Sequence, residues 1–345
     1  MPESISVALI THAGGAHVGS YLSALANTDE CSSVTLVDPD GRWEADARRV
    51  LAGKLKRVER DLKVVLNNDA PKMALITMEA RLAPPVIDAA LDAGCHVFAE
   101  KPACVRTDDF RPLVEKADSK HRYLMLAFAN RLNPETVAAR RIIETEKIGK
   151  LYGLDMHLVA DQTRLTRPSY QQQWFCQKER GGGGHLIWLG IHWLDLAMHL
   201  SGSTIESVAG FTANVGGQPI DVEDSATAAL RFDNGMLGTL TSGYYLDRGY
   251  HSHVKIWGSK GWLHLEPTKD QPLTWYTSVG PEKGKVQTWE GDKSPRGYTP
   301  FVQSAVKACT EMTDPPVTAT ESLRTLSTVF AIYDAAESSR SLTVD

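Results

Sequence analysis

Apolar and polar positions follow two different rhythms along this chain, and the change comes near residue 130. In the first part, short unbroken apolar runs recur at Ile5–Ile10, Val34–Val37, Ala74–Thr77, Val97–Ala99 and Tyr123–Leu126. Runs of this length, bounded by turn residues, read as buried strands. Between them lie helical patterns: Tyr21, Leu22, Leu25 and Ala26; Pro84–Ala93, closed by Gly94; and Asp108–Ala117. Strands alternating with helices predict an α/β fold, a doubly wound parallel sheet of Rossmann type. In the second part, an amphipathic helix over Glu135–Thr145 stops at Ile148-Gly149-Lys150. Strand-like runs follow at Tyr152–Val159, Ser207–Thr212, Ser225–Phe232, Met236–Gly243, Val254–Trp257 and Trp262–Leu265, with Asp233-Asn234-Gly235 as a hairpin turn. These runs predict an α+β domain on one largely antiparallel open sheet, with helices on one face and the other face free for a second copy. The expected division is a nucleotide-binding domain over 1–127 and a substrate and oligomerisation domain over 128–345.

Composition narrows the function without naming it. The chain has 345 residues and a net charge of −5, with no lysine- or arginine-rich run. Nucleic acid and anionic membrane are therefore not expected partners. No apolar stretch approaches the ~20 residues of a membrane span. The start, MPESISVALI, has no positive region ahead of its apolar residues, so no secretion signal is expected and the cytoplasm is the expected location. Five scattered cysteines without a CxxC pair suit reduced, buried thiols and not a disulfide frame or zinc site.

The first strand runs into Thr11-His12-Ala13-Gly14-Gly15-Ala16-His17-Val18-Gly19 and then a helix. A strand, a glycine turn and a helix start is how a dinucleotide pyrophosphate is cradled. The usual GxGxxG spacing is worn; its best match is Gly14-x-Ala16-x-x-Gly19, and the candidate contacts are Gly14, Gly15 and Ala16. Asp38 ends the second strand, where a carboxylate binds the adenosine ribose hydroxyls, which favours NAD. Arg42, four residues on, leaves NADP open. Thr77 and Glu79, at another strand end, are expected beside the nicotinamide half.

Val97-Phe98-Ala99-Glu100-Lys101-Pro102 is an apolar strand ending in a carboxylate, an amine and a proline. Ligands of open parallel sheets bind beyond the carboxyl ends of the strands. Lys101, with Glu100 as its charge partner, is therefore a candidate chemical group; a solvated lysine on a turn is the alternative.

The second half carries Gly181-Gly182-Gly183-Gly184-His185 followed by a helical pattern through Trp188, Gly190, His192, Asp195 and His199. His192, Asp195 and His199 share one helix face, but no cysteine or acid pair accompanies them, so no metal is expected. A histidine there suits proton transfer. Asp161 to Lys178 is expected to cap the site, and its Arg164 and Trp174 suit a carbohydrate, which presents hydroxyls and apolar ring faces. His185 and Trp188 join the candidate substrate contacts.

Taken together, several segments resemble the Gfo/Idh/MocA oxidoreductases, the glucose-fructose oxidoreductase and inositol dehydrogenase family. They are Ala89-Ala90-Leu91-Asp92-Ala93-Gly94, Glu100-Lys101-Pro102, Arg131-Leu132-Asn133-Pro134, the Gly182–Asp195 block, Val222-Glu223-Asp224-Ser225-Ala226 and Ile256-Trp257-Gly258-Ser259-Lys260-Gly261. The resemblance implies a Rossmann domain followed by an α/β domain whose open sheet makes dimer or tetramer contacts. It also implies bound NAD(P) and hydride transfer at a carbon of a sugar, cyclitol or related polyol. Lys101 matches the family's catalytic lysine and His192 its catalytic histidine. Two departures stand out. The family usually reads Asp-x-Gly-x-His, and Trp188 occupies the Asp position; Met78 and Leu82 stand where Pro and His are usual. With that carboxylate replaced, two alternatives stay open: a redox-neutral sugar lyase or glycosidase with retained NAD, and a non-catalytic dinucleotide- or sugar-binding protein.

Overall fold

The computed structural model describes residues 4–246, 249–291 and 294–345. It divides into two compact units. The first comprises the chain up to Leu132 with Glu179–Gly182 and Pro295–Leu323; the second comprises Asn133–Lys178, Gly183–Ser294 and Arg324–Asp345. The sequence suggests one cut at 127/128, whereas the compact units interleave. The helix Tyr298–Glu311, late in the chain, packs against the helix Val18–Ala26 of the first unit.

The first unit is built on strands β1 (Ile5–Thr11), β2 (Cys31–Val37), β3 (Leu55–Glu59), β4 (Met73–Thr77), β5 (His96–Ala99) and β6 (Leu124–Leu126). They form one sheet in the order β3-β2-β1-β4-β5-β6, and every neighbouring pair is parallel. Apolar runs became strands here because both faces are covered: β4 and β5 are buried at every position. The order reverses between β1 and β4, so the chain leaves the sheet in opposite directions on either side of that pair. Such a switch point opens the crevice where ligands of doubly wound sheets sit. Three elements between Asp38 and Met73 are not announced by the hydrophobic pattern: the helices Glu44–Leu51 and Leu62–Asp69, and β3. Edge strand β3 reads Leu-Lys-Arg-Val-Glu and is only half-buried, so it carries no apolar run to detect.

The second unit holds strands β7 (Leu151–Asp161), β8 (Ile205–Ala213), β9 (Ser225–Phe232), β10 (Leu237–Leu246), β11 (Tyr250–Gly258), β12 (Gly261–Leu265), β13 (Leu273–Thr277), β14 (Val286–Thr288) and β15 (Leu342–Thr343). Their order is β14-β13-β12-β11-β7-β10-β9-β8-β15, antiparallel throughout except for β7 beside β10. Alternation of buried and exposed residues along β9 shows a sheet with one covered face. The helices Pro134–Glu144 and Ile191–Ser201 pack together and against β12 and β7. The opposite face carries large apolar side chains in the open, with Phe211 77% and Leu237 58% exposed.

Candidate functional site

In the first unit the candidate residues meet at the carboxyl ends of β1, β4 and β5. The turn after β1 is drawn tightly onto β4. Thr77 Oγ1 donates to the Ala16 carbonyl, and Thr11 Oγ1 to the Thr77 carbonyl. Gly15 is obligatory in this packing: a Cβ there would sit 2.1 Å from Thr11 Oγ1 and 2.8 Å from the Thr77 carbonyl oxygen. Gly19 has open space where its Cβ would be, so the packing of the turn does not require a glycine there. Asp40 caps the loop by accepting from the Ala13 amide at 2.7 Å. His17 then takes a left-handed conformation (φ 59°) and the helix begins at Val18, with no side chain capping its first turn.

Asp38 is wholly buried at the end of β2. Its Oδ2 accepts from the Trp43 amide at 2.7 Å, while Oδ1 has no hydrogen-bond partner among the described residues. A buried carboxylate oxygen without a donor is costly, and a ribose hydroxyl would satisfy it. With the close Gly15 turn and the uncapped helix start, these residues fit a dinucleotide. Arg60 donates to the Asp38 carbonyl and lies 4.0 Å from Oδ2. Glu79, also buried, is gripped by the Arg180 guanidinium through Nε and Nη2. The Glu79 amide donates to His12 Nε2 at 3.1 Å.

Glu100 and Lys101 are each 1% exposed. Glu100 Oε2 accepts from the Tyr21 hydroxyl and lies 3.1 Å from His17 Nδ1; Oε1 accepts from the Lys101 amide. Tyr298 Oη meets the same His17 nitrogen at 3.0 Å. Burial by itself pushes the Glu100 carboxyl up, but His17, Lys101 and Tyr21 outweigh it and hold the group below the usual carboxylate range. Burial brings the Lys101 ammonium down to about 8, opposed by Glu100. The Lys101–Pro102 peptide is cis. This is a buried amine beside a fixed carboxylate, charged at neutral pH and close to losing its proton, at a strand end where chemistry is usual.

In the second unit the glycine run delivers the chain into a π-helical turn, Leu186–Gly190, which passes into the helix Ile191–Ser201. Half-buried Glu223 anchors this start. Its Oε2 accepts from the Gly184 amide at 2.7 Å, and its Oε1 accepts from the Leu186 amide and the Tyr333 hydroxyl, each at 2.9 Å. Gly184 must be glycine, because a Cβ would lie 2.0 Å from the Glu223 carbonyl oxygen. His185 is buried, with Nδ1 2.7 Å from Ser242 Oγ and its ring edge-on to Tyr244. Tyr244 Oη meets Tyr170 Oη at 2.8 Å. His192 is half-buried, Asp195 is buried, and His199 is engaged by the Arg140 guanidinium at 2.8 Å.

Trp188 is only 7% exposed. It stacks on Phe175 with ring centroids 4.4 Å apart and 8° between planes, and meets Trp174 edge-on at 5.2 Å. The segment expected as a cap therefore has an aromatic core of its own. Arg164 lies over the Tyr250 ring and donates to its hydroxyl at 2.8 Å. Sequence reasoning gave no role to Tyr21, His17, Arg180, Glu223, Ser242 or Tyr333. Glu223 and His17 lie in segments already noted for their pattern; the others become legible only through contacts distant in sequence.

Residues 8–128 match the model described as the oxidoreductase family with NAD-binding Rossmann fold, and residues 136–264 match the model of the GFO/IDH/MocA C-terminal domain. The chain is 29% identical over 196 residues to D-glucoside 3-dehydrogenase of Escherichia coli (strain K12), covering 52% of this chain and 54% of that protein. It is 23% identical over 331 residues to scyllo-inositol 2-dehydrogenase (NADP(+)) of Bacillus subtilis (strain 168), covering 88% and 89%. The chain spans about half the length of the other first curated relatives it matches, between 42% and 58%. Among solved structures, levoglucosan dehydrogenase in complex with NADH and L-sorbose superposes with a TM-score of 0.87 at 19% identity over 99% of each chain, a likeness of fold.

Proposed function

Because this chain belongs to the Gfo/Idh/MocA oxidoreductase family, we propose that it is an NAD-linked dehydrogenase oxidising a CH–OH group of a sugar, cyclitol or related polyol. The observation that carries the reading is the buried Lys101–Glu100 pair at the end of β5, in a sheet whose switch point adjoins the Gly15 turn. Asp38 would hold the adenosine ribose, which favours NAD over NADP; Gly14, Gly15 and Ala16 would hold the pyrophosphate, and Thr77 and Glu79 the nicotinamide half. Bound nicotinamide supplies the hydride acceptor.

Lys101 Nζ donates to the substrate oxygen and stabilises the negative charge that develops on it. His192 accepts the proton that leaves the hydroxyl, so the carbon loses a hydride and the oxygen a proton, leaving a carbonyl. Glu100 keeps Lys101 charged at neutral pH and is itself fixed by Tyr21 and His17. Arg164 and His185 present polar groups to substrate hydroxyls. Trp174 and Trp188 form with Phe175 the wall behind them, since the three rings already pack on one another.

The exposed apolar face of the second sheet supports a homodimer or homotetramer through that face, which solution mass would test. Five buried free cysteines support a reducing, cytoplasmic setting. The activity test is incubation with NAD and a panel of sugars, cyclitols and polyols, following reduced nicotinamide. Turnover that Lys101→Met abolishes supports the reading; no reduction with any of these classes overturns it.

A further inference from the structure

The register of the second sheet brings Asp155, His157 and His253 together on its open face. Asp155 and His157 are two apart on β7 and so point to the same side. His253 on β11 is the direct cross-strand partner of His157. The two imidazoles stack, with centroids 4.6 Å apart and 18° between planes. Asp155 Oδ2 lies 2.9 Å from His253 Nε2 and 3.7 Å from His157 Nε2, and one donor atom from each of the three residues lies within 4.8 Å of the others.

We propose that Asp155, His157 and His253 form a binding site for one divalent transition-metal ion of the zinc class. Two imidazole nitrogens and one carboxylate oxygen are a common zinc donor set, with water completing a tetrahedron. Zinc–ligand bonds of about 2.0–2.1 Å put neighbouring donors roughly 3.3 Å apart in a tetrahedron. The two oxygen–nitrogen separations bracket that value, so small side-chain rotations close the site. The support behind it is also present. Thr239, paired with Asp155 across β10, donates from Oγ1 to Asp155 Oδ1 at 2.7 Å. That bond turns the other carboxylate oxygen toward the imidazoles, as outer-shell partners of metal ligands do. Lys255, the cross-strand partner of Asp155 on the same face, is directed over the rings of Trp257 and Trp262. His264 stands edge-on to His253 at 5.4 Å, next to the cluster. The group makes no helix-spaced pattern in the sequence, because its members lie on two strands and are 98 residues apart at the extremes.

The test uses the full untagged chain, stripped with a chelator and titrated with Co²⁺ and then Zn²⁺ while visible absorbance is recorded. One Co²⁺ per chain is expected, with ligand-field bands of nitrogen and oxygen coordination, no thiolate charge-transfer band, and displacement by Zn²⁺. His253→Gln and His157→Gln, made separately so that one reports if the other misfolds, are each expected to weaken binding roughly 100-fold or more, and Thr239→Val about 10-fold. No saturable binding, a thiolate band, or affinity unchanged in both histidine variants would overturn the site.

Discussion

The indole of Trp188 lies parallel to the ring of Phe175, 4.4 Å away, and so fills with stacked aromatic surface the position that the Asp-x-Gly-x-His pattern gives to a carboxylate. The substitution is therefore part of a local repacking: Trp174, Phe175 and Trp188 pack as one cluster. Restoring the carboxylate would place a charge among these rings.

Trp188→Asp is accordingly expected to destabilise the protein by roughly 4 kcal/mol or more, from the lost aromatic burial and the buried charge. Denaturant unfolding of the variant measures this. Wild-type stability together with faster turnover would mean that the site still has room for the carboxylate.

The glycines of the first turn separate by substitution. Gly15→Ala should cost about 1–3 kcal/mol, because the new Cβ collides with Thr11 and the Thr77 carbonyl. Gly19→Ala, which meets open space on a helix, should stabilise by up to about 1 kcal/mol. Thermal unfolding of the two variants reads both signs.

Asp38→Asn keeps an acceptor for the Trp43 amide but removes the charge. The KM for NAD should rise about tenfold or more, a loss of ~1.4 kcal/mol, while the preference against NADP narrows. Unchanged KM values for both nucleotides would remove Asp38 from the ribose site.

Lys101 makes a prediction with a pH sign. Its folded-state pKa of about 8 lies below that of the unfolded side chain, so the native state binds fewer protons than the unfolded state between about pH 8 and 10. This group's contribution to stability therefore rises through that window, by on the order of 3 kcal/mol at its upper end, and is lost as pH falls through 8. Turnover moves the other way, falling as the ammonium loses the proton that stabilises the substrate oxygen. Lys101→Met should cut kcat by roughly 100-fold or more while leaving stability at neutral pH equal or higher, since a buried charge is gone. Steady-state rates and unfolding curves from pH 6 to 10 check all three.

The parallel sheet was legible because Ile5–Ile10, Ala74–Thr77 and Val97–Ala99 are buried on both faces and therefore apolar without interruption. Lys101 was legible because a proline and a glutamate punctuate the end of such a run. The edge strand at Leu55–Glu59 was not, because half-burial leaves no pattern. Nor was the anchoring of the Gly184–Leu186 turn by Glu223 and Tyr333, which depends on contacts 37 to 146 residues apart. Trp174 and Trp188 were read as platforms for a sugar from residue type alone; their mutual packing through Phe175 is a tertiary fact that no local window contains.

The most direct measurement follows the hydride itself. A sugar or cyclitol active in the panel is labelled with deuterium at the carbinol carbon, incubated with the protein and NAD, and the nucleotide recovered for mass analysis. A dehydrogenase delivers the deuterium to the nicotinamide ring in step with the carbonyl product. Nucleotide that stays oxidised and unlabelled while the sugar is consumed would contradict net hydride transfer.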